Sequence, residues 1–111
     1  MLGADHPHTL ISAHNLAADL RALGEHEQAR ALSEDTVSRR RRVLGPDHPD
    51  TLASANNLAL DLRALGEHQQ ARALHNDTVA RCRRVLGDDH PNTLIATHNL
   101  TVNLHAVGEP E

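Results

Sequence analysis

The sequence predicts an all-α fold, a solenoid of antiparallel helix pairs with about two and a half repeats in five helices. Three observations lead to it. A segment recurs in register with a period of 42 residues. Within each copy, apolar residues return at helical spacing. Proline and glycine punctuate every copy at matching places.

The period is read directly from the chain. Gly3-Ala-Asp-His-Pro-His-Thr-Leu10 returns as Gly45-Pro-Asp-His-Pro-Asp-Thr-Leu52 and again as Gly87-Asp-Asp-His-Pro-Asn-Thr-Leu94. Asp19-Leu-Arg-Ala-Leu-Gly-Glu-His26 is repeated unchanged over 61–68, and about three quarters of positions 3–44 are identical in 45–86. A single domain spanning 1–111 is expected, with repeats at 3–44 and 45–86 and a half repeat at 87–111.

The elements follow in order, the first helix being expected over 7–23. The first, third and fifth helices (7–23, 49–65 and 91–107) each open on Asp-His-Pro. Proline suits the first helical position, and the residue before it is pushed out of the α region. In the second copy Asp50 stands where the positive helix end favours an acid. Leu52, Ala55, Leu58, Ala59, Leu62 and Leu65 form an apolar stripe at spacings of three and four. Gly66 closes that helix, as glycine commonly does just past a helix end. The second and fourth helices (26–44 and 68–86) follow short turns. In the fourth, Ala71, Leu74, Thr78, Val79, Cys82, Val85 and Leu86 make the stripe, and Gly87 closes it. Arg81, Arg83 and Arg84 lie in its last turns, where positive charge is favoured. Short turns make neighbouring helices antiparallel. No pair buries its stripe alone, so the pairs must stack.

The segment Asn57-Leu-Ala-x-x-Leu-Arg-Ala-Leu-Gly66-Glu-His-x-x-Ala71 resembles a tetratricopeptide repeat. Leu58, Ala59, Leu62, Gly66 and Ala71 stand at that family's signature spacing. The longer period and the Leu-Gly-x-Asp-His-Pro-x-Thr-Leu linker resemble the kinesin-light-chain subgroup, in the form found in bacterial proteins, where such arrays often accompany signalling NTPase modules. Leu62 and His75 fill places that are aromatic in the usual motif, and Thr78 fills one that is usually Ala. The resemblance implies a right-handed α-solenoid whose concave groove binds proteins or peptides.

Positions where the copies disagree point to the binding face. Ile11, Ala53 and Ile95 share one register, His14, Asn56 and His98 a second, and Ala18, Leu60 and Val102 a third. These registers lie on one face of the first helix of each unit. In the family that face lines the groove. The same match brings Arg21, Arg63 and His105 there, with the recurring Asn15, Asn57 and Asn99. An amide carries both donors and an acceptor, so a ladder of them suits an extended peptide backbone. Arginine suits a carboxylate, which favours an acidic peptide. The alternative is that the asparagines bond neighbouring helices and the arginines are solvated. Histidines 14, 98 and 105 would make such a groove pH-sensitive, since an unperturbed imidazole changes charge at about pH 6.5.

Other chemistries find no purchase. The chain contains no lysine, so neither a P-loop nor a Schiff base can be built from it alone. Ser12, Ser33, Ser38 and Ser54 lie in helical stretches without a nucleophile elbow, and no enzyme is expected. Of the ten histidines, His6, His48 and His90 belong to the linker and His26 and His68 to the turn within each unit, the other five are specific to one copy, and none forms a zinc pattern. No metal or cofactor is expected. Cys82 is the only cysteine, which excludes an internal disulfide and fits a cytoplasmic protein. Arg39 to Arg42 resembles a nucleic-acid signal, but the aligned Arg81-Cys-Arg-Arg84 marks it as a repeated, solvated helix end. With a net charge of −4 and no aromatic residue, nucleic acid is not an expected partner. No apolar run approaches a membrane span, and the start lacks the basic and apolar regions of a signal peptide.

The expected partner is therefore a protein or extended peptide. Homo-oligomerisation through the last helix is a second expectation, because that helix resembles a first helix with no second helix after it. Its apolar face would mark an association site. The alternatives to a binding scaffold are a self-associating structural element and a fragment of a longer array that regulates a signalling NTPase.

Overall fold

The computed structural model describes residue 3 and residues 6–106, with the backbone alone at positions 7, 8 and 101–106. Five helices follow one another: α1 (Pro7–Ala22), α2 (His26–Leu44), α3 (Pro49–Ala64), α4 (His68–Leu86) and α5 (Pro91–Ala106). Their ends agree with the sequence reading to within one residue through α4. The expected end of α5, at 107, lies outside the described residues.

The Asp-His-Pro linker starts helices by a device the sequence reading did not include. A helix leaves its first N–H groups unpaired. Pro49 removes one of them, and the ring of His48 serves another. His48 adopts φ −66° and ψ 139°, and its Nδ1 accepts the Asp50 N–H at 3.1 Å. His90 repeats this with the Asn92 N–H, also at 3.1 Å. An accepting Nδ1 requires the ring proton on Nε2.

The helix ends are equally regular. Past α3, the Glu67 N–H returns to the Leu62 carbonyl at 2.9 Å and the Gly66 N–H to the Arg63 carbonyl at 3.0 Å. This pairing closes the helix with a left-handed residue, and Gly66 takes it at φ +84°.

Each helix packs on the next. In addition α3 touches both α1 and α5, whereas α2 and α4 do not meet. The helices α1, α3 and α5 therefore form the closer, inner layer, and α2 and α4 the outer one. Between the layers, Leu52, Val79, Cys82 and Ala96 make a buried apolar cluster, backed by Leu86 and Leu100. Cys82 is 1% exposed, and burial pushes its thiol pKa up, as expected of an inert core thiol.

The corresponding places between α1, α2 and α3 hold Arg40 and Ser54, which align with Cys82 and Ala96 across the repeat. Arg40 is 4% exposed, and its Nη1 donates to Ser54 Oγ at 2.8 Å and to the Asp50 carbonyl at 2.9 Å. This corrects the reading of Arg39 to Arg42 as a uniformly solvated run. Helical spacing turns one of the four inward, where only a hydroxyl and a carbonyl can satisfy it. The matching cluster on α4 also has work within the fold. Arg81 reaches Asp47 of the preceding linker at 2.7 Å, and Arg84 reaches it at 3.1 Å. Those two guanidiniums hold the Asp47 carboxyl below its ordinary pKa.

Gly66→Ala should lower stability by about 1–2 kcal/mol, the cost of a left-handed conformation for a residue with a Cβ. Urea unfolding followed by circular dichroism measures this; an unchanged midpoint would mean that the helix end can be rebuilt.

Candidate functional site

The inner layer presents a groove whose floor is α3 and whose sides are α1 and α5. A cavity of about 120 Å³ opens there, lined by His14, Leu52, Ala53, Asn56, Asn57, Asn92 and Ile95. Three inner helices contribute, and five of these side chains belong to the registers singled out in the sequence. Leu52 and Asn92 were not among them.

Lateral hydrogen bonds set the spacing of the inner helices. Asn57 Nδ2 lies 3.2 Å from His14 Nε2, joining α3 to α1. One unit later, Asn99 Nδ2 donates to Asn56 Oδ1 at 3.0 Å, joining α5 to α3. The same two registers meet in both cases, with a histidine in the first and an amide in the second. His14 Nδ1 also lies 3.4 Å from Ser54 Oγ, so a proton on Nδ1 satisfies both contacts. Burial, then the nearby charges of Arg40 and Arg21, push the His14 pKa down. Its charging is thereby displaced to more acid conditions than an unperturbed ring.

The remaining residues of the predicted face divide plainly. Ile11, Asn15, Ile95 and His98 are exposed on the inner helices, and Ala18, Ala53, Leu60, Arg21 and Arg63 are half-buried beside them. Asn56 and Asn99 are buried in the bond they share. Val102 and His105 lie on α5 where only the backbone is described.

The two groove arginines differ. Arg21 Nη1 meets Asp61 Oδ1 at 3.1 Å, and Ser33 Oγ donates to Asp61 Oδ2 at 2.8 Å. Asp61 is fully buried, and this pair of donors is what permits it. One unit later the aligned residues are Arg63, His75 and Asn103. No carboxylate stands at 103. Among the described residues, Arg63 Nη1 is buried without a hydrogen-bond partner, and so are both ring nitrogens of His75. His75 is itself fully buried. Burial and then the charge of Arg63 lower its pKa to about 4.

The model of the tetratricopeptide repeat family matches residues 8–82 and 53–111, two overlapping registers of one pattern. The chain belongs to this family. Two crystal structures of the nearly identical TPR-like repeats of a putative kinesin light chain from Podosopora anserina are similar to this tetratricopeptide array. One, of a point-substituted form, matches at 34% identity and TM-score 0.82 over 96% of this chain and 50% of that one. The other matches at 34% identity and TM-score 0.79 over 96% of this chain and 51% of that one. The chain thus spans about half the length of the structures it matches. No curated protein matches it in sequence. Among the described residues, no helix is long and apolar enough to cross a membrane.

The polar residues beneath the groove, Ser33, Arg40, Asp61 and His75, were not identified as site residues from the sequence. A signal for them existed. The copies change there in pairs, Arg40 and Ser54 becoming Cys82 and Ala96, and Ser33 and Asp61 becoming His75 and Asn103.

Asp61→Asn should cost about 1.5–3 kcal/mol in urea unfolding, the range for a buried hydrogen bond to a charged group. A change within error would show that Arg21 finds another partner.

A second expectation concerns pH. His75 keeps its ring neutral down to about pH 4, whereas an unfolded histidine takes its proton near 6.5. Its contribution is complete above pH 6.5 and is lost as the pH falls towards about 4. The loss is on the order of 3 kcal/mol at most. Stability measured across this window should fall less steeply in His75→Ser, which installs the first-copy residue. An equal slope would contradict it.

Proposed function

We propose that this tetratricopeptide array is a protein- or peptide-binding scaffold that uses the groove formed by α1, α3 and α5. Arrays of this family are in general protein-interaction scaffolds. The observation that carries the reading is the cavity that Ala53 helps to line. A small side chain stands there on α3, while the same register on the flanking helices carries Ile11 at 47% and Ile95 at 51% exposure. A side chain of a bound peptide would enter the depression between Ile95 of α5 and His14 of α1, with amides beside it. Mostly apolar concave sites with a few placed polar groups are the usual form of a ligand site.

The lateral hydrogen bonds support this reading in a second way. They hold Asn56 and Asn57, which line the cavity, in place, so the groups those amides leave unused are oriented without further ordering. Preorganisation of this kind reduces the cost of binding.

Self-association through α5 is a second reading, favoured by one observation. Leu94 is 56% exposed, while Leu52, in the same register on α3, is 2% exposed. Leu52 packs against Val79 and Cys82 of the second helix of its own unit, and a second copy could cover Leu94 in the same manner.

Peptides selected on the array from a displayed random library should lose affinity by about tenfold or more when Ala53→Arg fills the depression, the effect of removing one central contact. Circular dichroism should show unchanged helicity. Equal affinity in the two proteins would overturn the groove reading. If α5 is instead the working surface, sedimentation equilibrium will show dimers that Leu94→Glu abolishes.

A further inference from the structure

The cavity over α3 is not a plain apolar depression. Four of the side chains that line it are polar: His14 from α1, Asn56 and Asn57 from α3, and Asn92 from α5. None of its lining residues is an acid, an arginine or a lysine. His14 is the one titratable group among them, and burial with the nearby charges of Arg40 and Arg21 favours its neutral ring. At neutral pH the cavity is therefore a polar site without formal charge.

The bonds between helices fix its two α3 amides in opposite senses. Asn56 is 7% exposed, and its Oδ1 accepts the Asn99 Nδ2 at 3.0 Å. Its Nδ2 has no hydrogen bond among the described residues, yet, unlike the ring nitrogens of His75, it is not sealed from solvent. The cavity that Asn56 lines is where this donor can be met. Asn57 is engaged the other way round. Its Nδ2 is held by His14 Nε2 at 3.2 Å, which leaves its Oδ1 unused among the described residues. Asn92 spends only its backbone N–H, on the His90 ring, and its amide is free among the described residues. A largely buried amide normally has its groups satisfied, and each exception calls for a reason.

We propose that this cavity is a carboxamide site, which takes the side chain of a glutamine or asparagine of a bound peptide between the free donor of Asn56 and the free acceptor of Asn57. The proposal rests on the groove reading above for the source of the side chain, and it deepens that reading by naming the group recognised. A carboxamide carries both an acceptor and donors, so it answers both amides at once. A carboxylate has acceptors only and brings a charge to a cavity lined by no cation. An ammonium or guanidinium has donors only and meets no carboxylate there. An aliphatic side chain covers Asn56 Nδ2 without bonding it, and a buried donor left unmet is costly. Size agrees. The cavity of about 120 Å³ is somewhat smaller than the roughly 150 Å³ that accommodates benzene, so it suits a group of about four or five heavy atoms. Leu52, Ala53 and Ile95 receive the methylenes.

The experiment uses propionamide as the minimal carboxamide. Its controls are propionate at equal ionic strength and butanone, which keeps the carbonyl but lacks the N–H. NMR of the whole chain follows the side-chain amide resonances of Asn56 and Asn57. Propionamide should shift both saturably and at lower concentration than either control. Peptides selected on the array from a displayed random library should carry Gln or Asn at one position. Replacing that residue by Glu or by Met should weaken binding by about tenfold. Asn56→Leu removes the cavity donor, and it should abolish both the propionamide shift at Asn57 and the preference for Gln over Met. If that variant fails to fold without its bond to Asn99, the ranking of the three small probes on the unaltered chain decides the point.

A propionamide shift no stronger than those of propionate or butanone overturns the proposal. So does a saturable shift that persists in folded Asn56→Leu. The two readings fail separately. Peptides that lose affinity in Ala53→Arg yet accept Met in place of Gln keep the groove and reject the carboxamide site. Propionamide binding alongside peptide affinity that Ala53→Arg leaves unchanged rejects the peptide as the source of the carboxamide, and the proposal with it.

Discussion

The structure depends on one constraint: a helix pair cannot cover its own apolar and polar flank, so the first helix of the next unit must do it. Helix α3 carries that load twice. On one side it closes the α1–α2 pair with Ser54, Asn57 and Asp61. On the other it opens the next unit with Leu52 and Asn56, which pack and bond towards α4 and α5. A fully buried carboxylate such as Asp61 is tolerated only where donors from other helices meet it, so its position fixes how α1, α2 and α3 sit together. The spacing of the inner layer, and with it the groove, follows from that docking.

The copies use two solutions to the same docking problem. The first junction is polar, built on Arg40, Ser54, Arg21, Asp61 and Ser33. The second buries an apolar cluster around Cys82 and Ala96, and buried nitrogens of Arg63 and His75 have no partner among the described residues. Substitutions within each solution are linked for a simple reason. A buried arginine needs a hydroxyl or carbonyl in front of it, and a buried thiol needs an apolar neighbour. Changing one member alone would leave an unsatisfied group or a void. Divergence between repeats therefore reports on packing as well as on binding, and the two contributions overlap on α3.

That overlap explains why the face chosen from copy differences behaves as it does. Positions 14 and 56 differ between copies, yet each bonds the recurring asparagine of the next inner helix. The reading of the asparagines as neighbour-bonding groups thus applies to Asn57 and Asn99, while Asn15 is exposed. Holding the inner helices together and presenting polar groups in the groove are compatible tasks for an amide, which has more than one group to use.

The sequence by itself determined the five helices and their antiparallel stacking. Those properties come from local causes: the prolines and glycines at each end, the spacing of leucine and alanine, and a period that places equivalent residues in equivalent surroundings. Even the ring of His48, which caps α3 through Nδ1, acts within two residues of its partner. The tertiary structure alone decided which charged residues are met and which are not. Arg21 and Arg63 lie in identical local sequence, Asp-Leu-Arg-Ala-Leu-Gly-Glu-His. Their difference arises about 40 residues away, where Arg21 meets Asp61 and the aligned position on α5 holds Asn103 instead of an acid. Charge compensation is settled by what the next helix brings, and no local pattern carries that information.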